Sequence, residues 1–239
     1  MRPWSTRKTT PCLIWRESVQ DFSESLDHIE KDRWTRYRRA SDRDQFSTGV
    51  HLQRRALRTV CGVDVKLVRR CPGCGSGSHG PTEPGGGLAS EWTMSLSHSA
   101  GLAVLAIAPS SAKMGLDVET VDSFDRINRI ASLAFSPRER REDGNAADSV
   151  AARLAQTRRW CRKEAILKAA RVGVATPMRD LEIFDAQTRP ARLSWPAAPA
   201  ELPVARIQLF DLEPDFVGRD HIGAVACVGT DSYELEYVD

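Results

Sequence analysis

A chain of 239 residues with 41% hydrophobic and 28% charged residues has the balance of an ordinary globular protein, enough for one large domain or two small ones. No apolar run approaches the roughly 20 residues of a membrane span. The N-terminal MRPWSTRKTTPCLIW lacks the apolar stretch of a signal peptide, so a cytoplasmic location is expected. The net charge is only +2, but residues 31–58 hold nine Lys or Arg against three Asp, and residues 126–171 hold twelve against five acids. Such clustering implies an anionic partner, whether nucleic acid, nucleotide or acidic protein. Six unevenly spread cysteines do not make a disulfide framework.

In chain order, residues 11–16 have strand composition. Residues 23–39 are predicted as a helix with Ser23 at its N-cap. Residues 42–61 form a longer helix that buries Phe46, Val50, Leu57 and Val60 and carries Arg43, Arg54, Arg55 and Arg58 on its polar face. The Gly-, Pro- and Ser-rich segment 71–87 reads as a loop. Within it, Cys71-x-x-Cys74 and His79 make half of a zinc site rather than a whole one, and a plain loop with reduced thiols is the expected state.

Met94 and Leu96 alternate with Ser95 and Ser97 as in an amphipathic strand, and residues 101–108 are a buried apolar run. Ser97-His98-Ser99 lies between them. Ser136 and Glu139 form an S-x-x-E capping box with Pro137 at the first helical position. Strands are predicted at 176–184, 205–212 and 221–229, with an Ala/Pro-rich surface loop at 189–203. The HIGAVAC of the last strand faintly repeats HSAGLAVLA at 98–106, which suits two similar α+β halves.

Two stretches carry chemistry. In RWCRKEAILKAAR (159–171), Trp160, Glu164 and Lys168 are spaced i, i+4, i+8 and share one stripe of a helix predicted to stop near Gly173. In GLDVE (115–119), period two sets Asp117 and Glu119 on one face of a strand while Leu116 and Val118 face the core. Neighbouring carboxylates repel unless a cation lies between them. With Glu164 they make a hard-oxygen set suited to Mg²⁺, and Lys168 is placed to reach a phosphate.

These stretches resemble the G-[IV]-D-[IV]-E and W-x-x-K-E-[AS]-x-x-K signatures of the Sfp-type 4′-phosphopantetheinyl transferases. The resemblance extends over about residues 30–185, through Glu30, Lys31, Arg33, Asp42, Phe46, Gly49, Leu52 and Arg54, through Ser97-His98-Ser99, and through Phe135-Ser136-x-x-Glu139. It implies an α+β pseudo-dimer, divided here at 1–109 and 110–239, with coenzyme A between the halves. By resemblance Lys31, Arg33, Arg54, His79, Ser97, His98, Asp117 and Lys168 bind coenzyme A, and His98 meets its 3′-phosphate. Asp117, Glu119 and Glu164 hold Mg²⁺, and Glu164 and Lys168 are catalytic. The implied reaction moves phosphopantetheine from coenzyme A to a serine of an apo acyl or peptidyl carrier protein, releasing 3′,5′-ADP, in support of fatty acid, polyketide or nonribosomal peptide synthesis. A monomer is expected, with neither nucleic acid nor membrane as partner. The family's H-G-K-P loop is here His79-Gly80-Pro81-Thr82, without the lysine.

Other classes fit less well. A nucleic-acid-binding protein would use the arginine-rich helices but leaves the carboxylates unexplained. A Mg²⁺-dependent nucleotide hydrolase of the ATPase type lacks a GxxxxGK[ST] loop. A transferase-like chain without activity is argued against by the intact carboxylate trio.

Overall fold

The computed structural model describes residues 9–71, 73–77, 80–142, 149–172, 176–184 and 192–238. It divides into two compact units, one built from Pro11–Ser111 with residues 235–238, the other from Ala112–Glu234 with Thr10.

The first unit is a four-stranded sheet and two helices. Strands β1 (Thr10–Ser18), β4 (Trp92–Ser99), β5 (Leu102–Pro109) and β11 (Tyr233–Tyr237) are ordered β11-β1-β5-β4, with β1 and β4 each antiparallel to β5. A small hairpin, β2 (Leu67–Arg69) with β3 (Thr82–Pro84), forms a separate two-stranded sheet. Helix α2 (Ala40–Cys61) buries Leu52, Ala56 and Leu57 against Leu13, Trp15, Leu105 and Ile107. It ends on Gly62 at φ +72°, the left-handed cap that glycine adopts without Cβ strain. The helix predicted from Ser23 starts later. Ser23–Ser25 is a single 3₁₀ turn and α1 runs His28–Arg36, because Asp27 and Glu30 form a reciprocal capping box that fixes its first turn there.

The second unit carries a three-stranded antiparallel sheet, order β6-β10-β9, of β6 (Lys113–Thr120), β9 (Ile207–Asp211) and β10 (His221–Val228). Short helices α3 (Phe124–Arg129), α4 (Ala131–Ala134) and α5 (Pro137–Glu142) lead to the long α6 (Val150–Ala170), and α7 (Pro214–Val217) precedes β10. Ser149 caps α6 by accepting from the Ala152 amide, and Arg171 ends it at φ +57°. The capping box at Ser136 and Glu139 forms as predicted.

Three details differ from the sequence expectation. Of 176–184, only β7 (Glu182–Phe184) is strand, and Met178–Asp180 is a 3₁₀ turn. Within the expected loop 189–203, β8 (Arg192–Ser194) pairs with β7. Thr82–Pro84, inside the expected loop 71–87, is strand β3. Period-two patterns are hard to read in three-residue strands.

Helix α6 lies across β6 and β10. The face beneath it is built of small residues, with Gly115 opposite Ala226 and Asp117 opposite Ala224 in the β6–β10 register. A Cβ at Gly115 would come 2.5 Å from the Ala169 amide nitrogen and 2.8 Å from Lys168 Cβ. Glycine there lets helix and strand meet backbone to backbone.

Candidate active site

From Arg159 to Ala169, α6 is buried at every position except Glu164 and Lys168, which stay part-exposed one turn apart. That buried run seats Cys161, Ala165, Ile166 and Ala169 in the core of the unit. The two exposed side chains stand over the β6 segment that carries Asp117 and Glu119. Lys168 Nζ donates to Asp117 Oδ1 at 2.8 Å and to the Leu116 carbonyl at 2.9 Å. Asp117 is only 6% exposed. Glu119 accepts from Ser123 Oγ at 2.8 Å and pairs with Arg126, whose guanidinium also lies 5.8 Å from the Trp160 ring centroid.

The Glu164 carboxyl is held above its usual range. Burial is the largest cause, followed by Asp117, with Glu119 adding and Lys168 and Arg126 opposing. The chemical meaning is direct: a carboxylate made reluctant to ionise is a stronger proton acceptor, and a site of neighbouring acids attracts cations. Behind it, the Cys161 thiol is wholly buried and pushed well above its ordinary pKa, by burial first and then by Asp117 and Glu119. Its Sγ donates to the Ile222 carbonyl at 3.3 Å. Such a thiol packs and does not act as a nucleophile.

The donor set of Asp117, Glu119 and Glu164 is of the hard-oxygen type that Mg²⁺ takes, and their mutual repulsion is relieved by a cation. As the side chains stand, no three acidic, imidazole or thiol groups are gathered closely enough to hold an ion among the described residues. Asp117 is engaged by Lys168, and Glu119 by Ser123 and Arg126. Ser123 and Arg126 were not legible as partners of Glu119, since a serine and an arginine in a short helix carry no spacing signal toward a strand.

Glu139, in the first turn of α5, is the capping partner of Ser136. It is wholly buried, bonded to Lys163 Nζ at 2.6 Å and to the amides of Ser136 and Ile183, both at 2.8 Å. Burial, the leading cause, lowers the Lys163 pKa to about 8, against the attraction of Glu139.

The remaining predicted residues belong to the other unit. Lys31 is exposed on α1, Ser97 is buried and His98 exposed on β4, and His79 lies outside the described residues. Arg33 Nη2 donates to the Gly77 carbonyl at 2.8 Å. Arg54 is a brace, donating to the Ser25 carbonyl at 2.6 Å and to Glu30 at 2.8 Å. A residue missed in the sequence, Arg69, donates to the Gly80 carbonyl at 3.1 Å, and burial and then Arg33 lower its pKa. Arg33, Arg69, Lys66, Phe46 and Val50 border a cavity of about 220 Å³.

Residues 113–224, just under half of the chain, match the family model of the 4′-phosphopantetheinyl transferase superfamily. The matched span contains Asp117, Glu119, Glu164 and Lys168. None of the curated proteins compared with the chain matches it. No described helix is long and apolar enough to cross a membrane.

Proposed function

We propose that the protein is a Mg²⁺-dependent 4′-phosphopantetheinyl transferase of the Sfp type, moving phosphopantetheine from coenzyme A to a serine of an apo acyl or peptidyl carrier protein. The observation that carries this reading is the gathering of Asp117, Glu164 and Lys168 where α6 crosses β6, inside the span that matches the superfamily. Mg²⁺ would be held by Asp117, Glu119 and Glu164 and supplies charge neutralisation at the pyrophosphate.

The chain's own groups account for the rest. Glu164, or a water it positions, accepts the proton of the carrier serine hydroxyl. The freed oxygen bonds to the β-phosphorus of coenzyme A, the bridge from that phosphorus to the α-phosphate oxygen breaks, and 3′,5′-ADP leaves. Lys168, fixed by Asp117 and the Leu116 carbonyl, compensates charge growing on the leaving group. The nucleophile belongs to the partner, so none is required of this chain. Lys31, Arg33, Ser97, His98 and His79 are the proposed coenzyme A contacts, and Arg69 adds a cation that the loop without its lysine does not provide. Arg54 serves by holding Glu30. The basic stretches suit an acidic carrier.

The test is to mix the protein with Mg²⁺, coenzyme A and an apo carrier protein and weigh the carrier by mass spectrometry. A gain of one phosphopantetheine, abolished by Glu164→Gln and by EDTA, is expected. An unmodified carrier across several carrier types, together with no binding of coenzyme A, would overturn the assignment.

A further inference from the structure

Helix α6 presents two neighbouring stripes. Trp160, Glu164 and Lys168 make one. Arg159 and Lys163, each one residue earlier, make the other, about 100° around the axis. The second stripe is anchored in an ionic network whose Arg159, Lys163 and Glu139 are buried, with Glu142 at its part-exposed edge. Lys163 Nζ has three donors and uses them on Glu139 Oε2 at 2.6 Å, the Ala134 carbonyl at 2.8 Å and the Met178 carbonyl at 3.2 Å. Glu139 accepts in addition from the Ser136 and Ile183 amides and stands 3.7 Å from Arg159. Arg159 donates to the Ile183 carbonyl and pairs with Glu142. Four elements are thereby tied to one face of α6: α4, α5, the 3₁₀ turn at Met178–Asp180 and β7.

A buried ion pair seldom stabilises a protein more than well-packed apolar side chains of the same volume would. What such a pair does supply is direction, because three acceptors around one ammonium leave α6 a single rotational setting. That setting fixes the neighbouring stripe. A turn of about 10° around the helix axis displaces a side-chain end by roughly 1 Å, and a 1 Å misplacement costs on the order of a hundredfold in rate.

We propose that Lys163 and Glu139 are positioning residues: their buried pair sets the rotation of α6 and so aims the Glu164 carboxylate. This rests on the reading of Glu164 as the proton acceptor. Neither residue touches the reacting groups, and the F-S-x-x-E element thus acts on the site through Lys163.

The test is the double variant Lys163→Met/Glu139→Leu, which replaces the pair by apolar groups of similar size, beside Glu139→Asp. Two readouts are taken: kcat and KM of carrier modification, and the carboxyl ¹³C resonance of Glu164 in metal-free protein, assigned by its loss in Glu164→Gln. The double variant takes the acceptor from the buried Ser136 and Ile183 amides and is therefore expected to fold with a lowered melting temperature, to lose about 30- to 100-fold in kcat with KM for coenzyme A within twofold, and to show the Glu164 resonance shifted or split. Glu139→Asp is expected to recover most of that loss. A folded double variant with native kcat and an unmoved resonance would overturn the proposal and leave the pair a packing feature. A resonance that moves in a protein whose parent modifies no carrier would uphold the positioning and overturn the transferase reading instead.

Discussion

Lys168 on α6 and Asp117 on β6 are joined at 2.8 Å across a helix–strand contact that has no room for a side chain at Gly115. The two facts belong together, because the close approach of the backbones is what brings the ammonium to the carboxylate. Gly115→Ala is therefore expected to cost about 3 kcal/mol, the upper part of the range for overpacking, since the obstructing atoms are helix backbone that cannot swing away. Urea unfolding reads it. A loss below about 1 kcal/mol would mean that the helix lifts off freely.

Lys168→Met keeps the aliphatic stem and removes the charge. The side chain is about one-third exposed, so the fold should tolerate the change, while transfer should fall roughly a hundredfold from lost charge compensation. Steady-state kinetics with a thermal melt on the same sample separates the two effects. A parallel fall in melting temperature and rate would assign Lys168 to structure alone.

The four residues of this cluster were legible in the sequence because two periods point at one another. Asp117 and Glu119 alternate in a strand, and Glu164 and Lys168 repeat at a helical turn. Gly115 was visible as part of the same motif, but its steric purpose was not, because the atoms it avoids lie 50 residues later in α6. Ser123 and Arg126, which engage Glu119, and Arg69, which lies beside Arg33, were not legible either. Their partners are set by how short elements fold back, and no periodicity records that. Glu139 shows the same limit in another form. Its capping role was readable from S-x-x-E, whereas its bond to Lys163 depends on two helices meeting.

Asp211 binds Arg162 through both oxygens at 2.9 Å and also stands 3.6 Å from Arg158. The Arg162 side chain is 3% exposed. Asp211→Ala removes two charge-assisted bonds from a buried guanidinium and is expected to destabilise by about 3 kcal/mol. Asp211→Leu with Arg162→Met removes both charges and should recover most of that loss. A double-mutant cycle in urea checks it, and a pair of additive losses would deny the coupling.

The cysteines should separate by burial. Cys74 is exposed, whereas Cys12, Cys161 and Cys227 are buried. Iodoacetamide at mildly alkaline pH should label Cys74 in the native protein and reach the three buried thiols only after unfolding. Peptide mapping by mass spectrometry gives the order, and early labelling of Cys161 would contradict its raised pKa.

His51 on α2 stacks on Phe22 with ring centroids 3.9 Å apart and planes within 6°. Burial holds its imidazole below the ordinary value of 6.5, with Glu17 partly offsetting and Arg55 adding. The unfolded chain therefore takes up the proton before the folded one does. Stability from this group is whole above the unfolded value and declines as pH falls through it toward the lower folded value. His51→Phe retains a stacked ring without the titration. The difference in urea midpoint between the parent and His51→Phe should thus change between about pH 7 and pH 5, with the parent losing more on acidification. Equal slopes for both proteins would show that the imidazole titrates alike in the folded and unfolded chain, and that burial beneath Phe22 imposes no penalty on its charge.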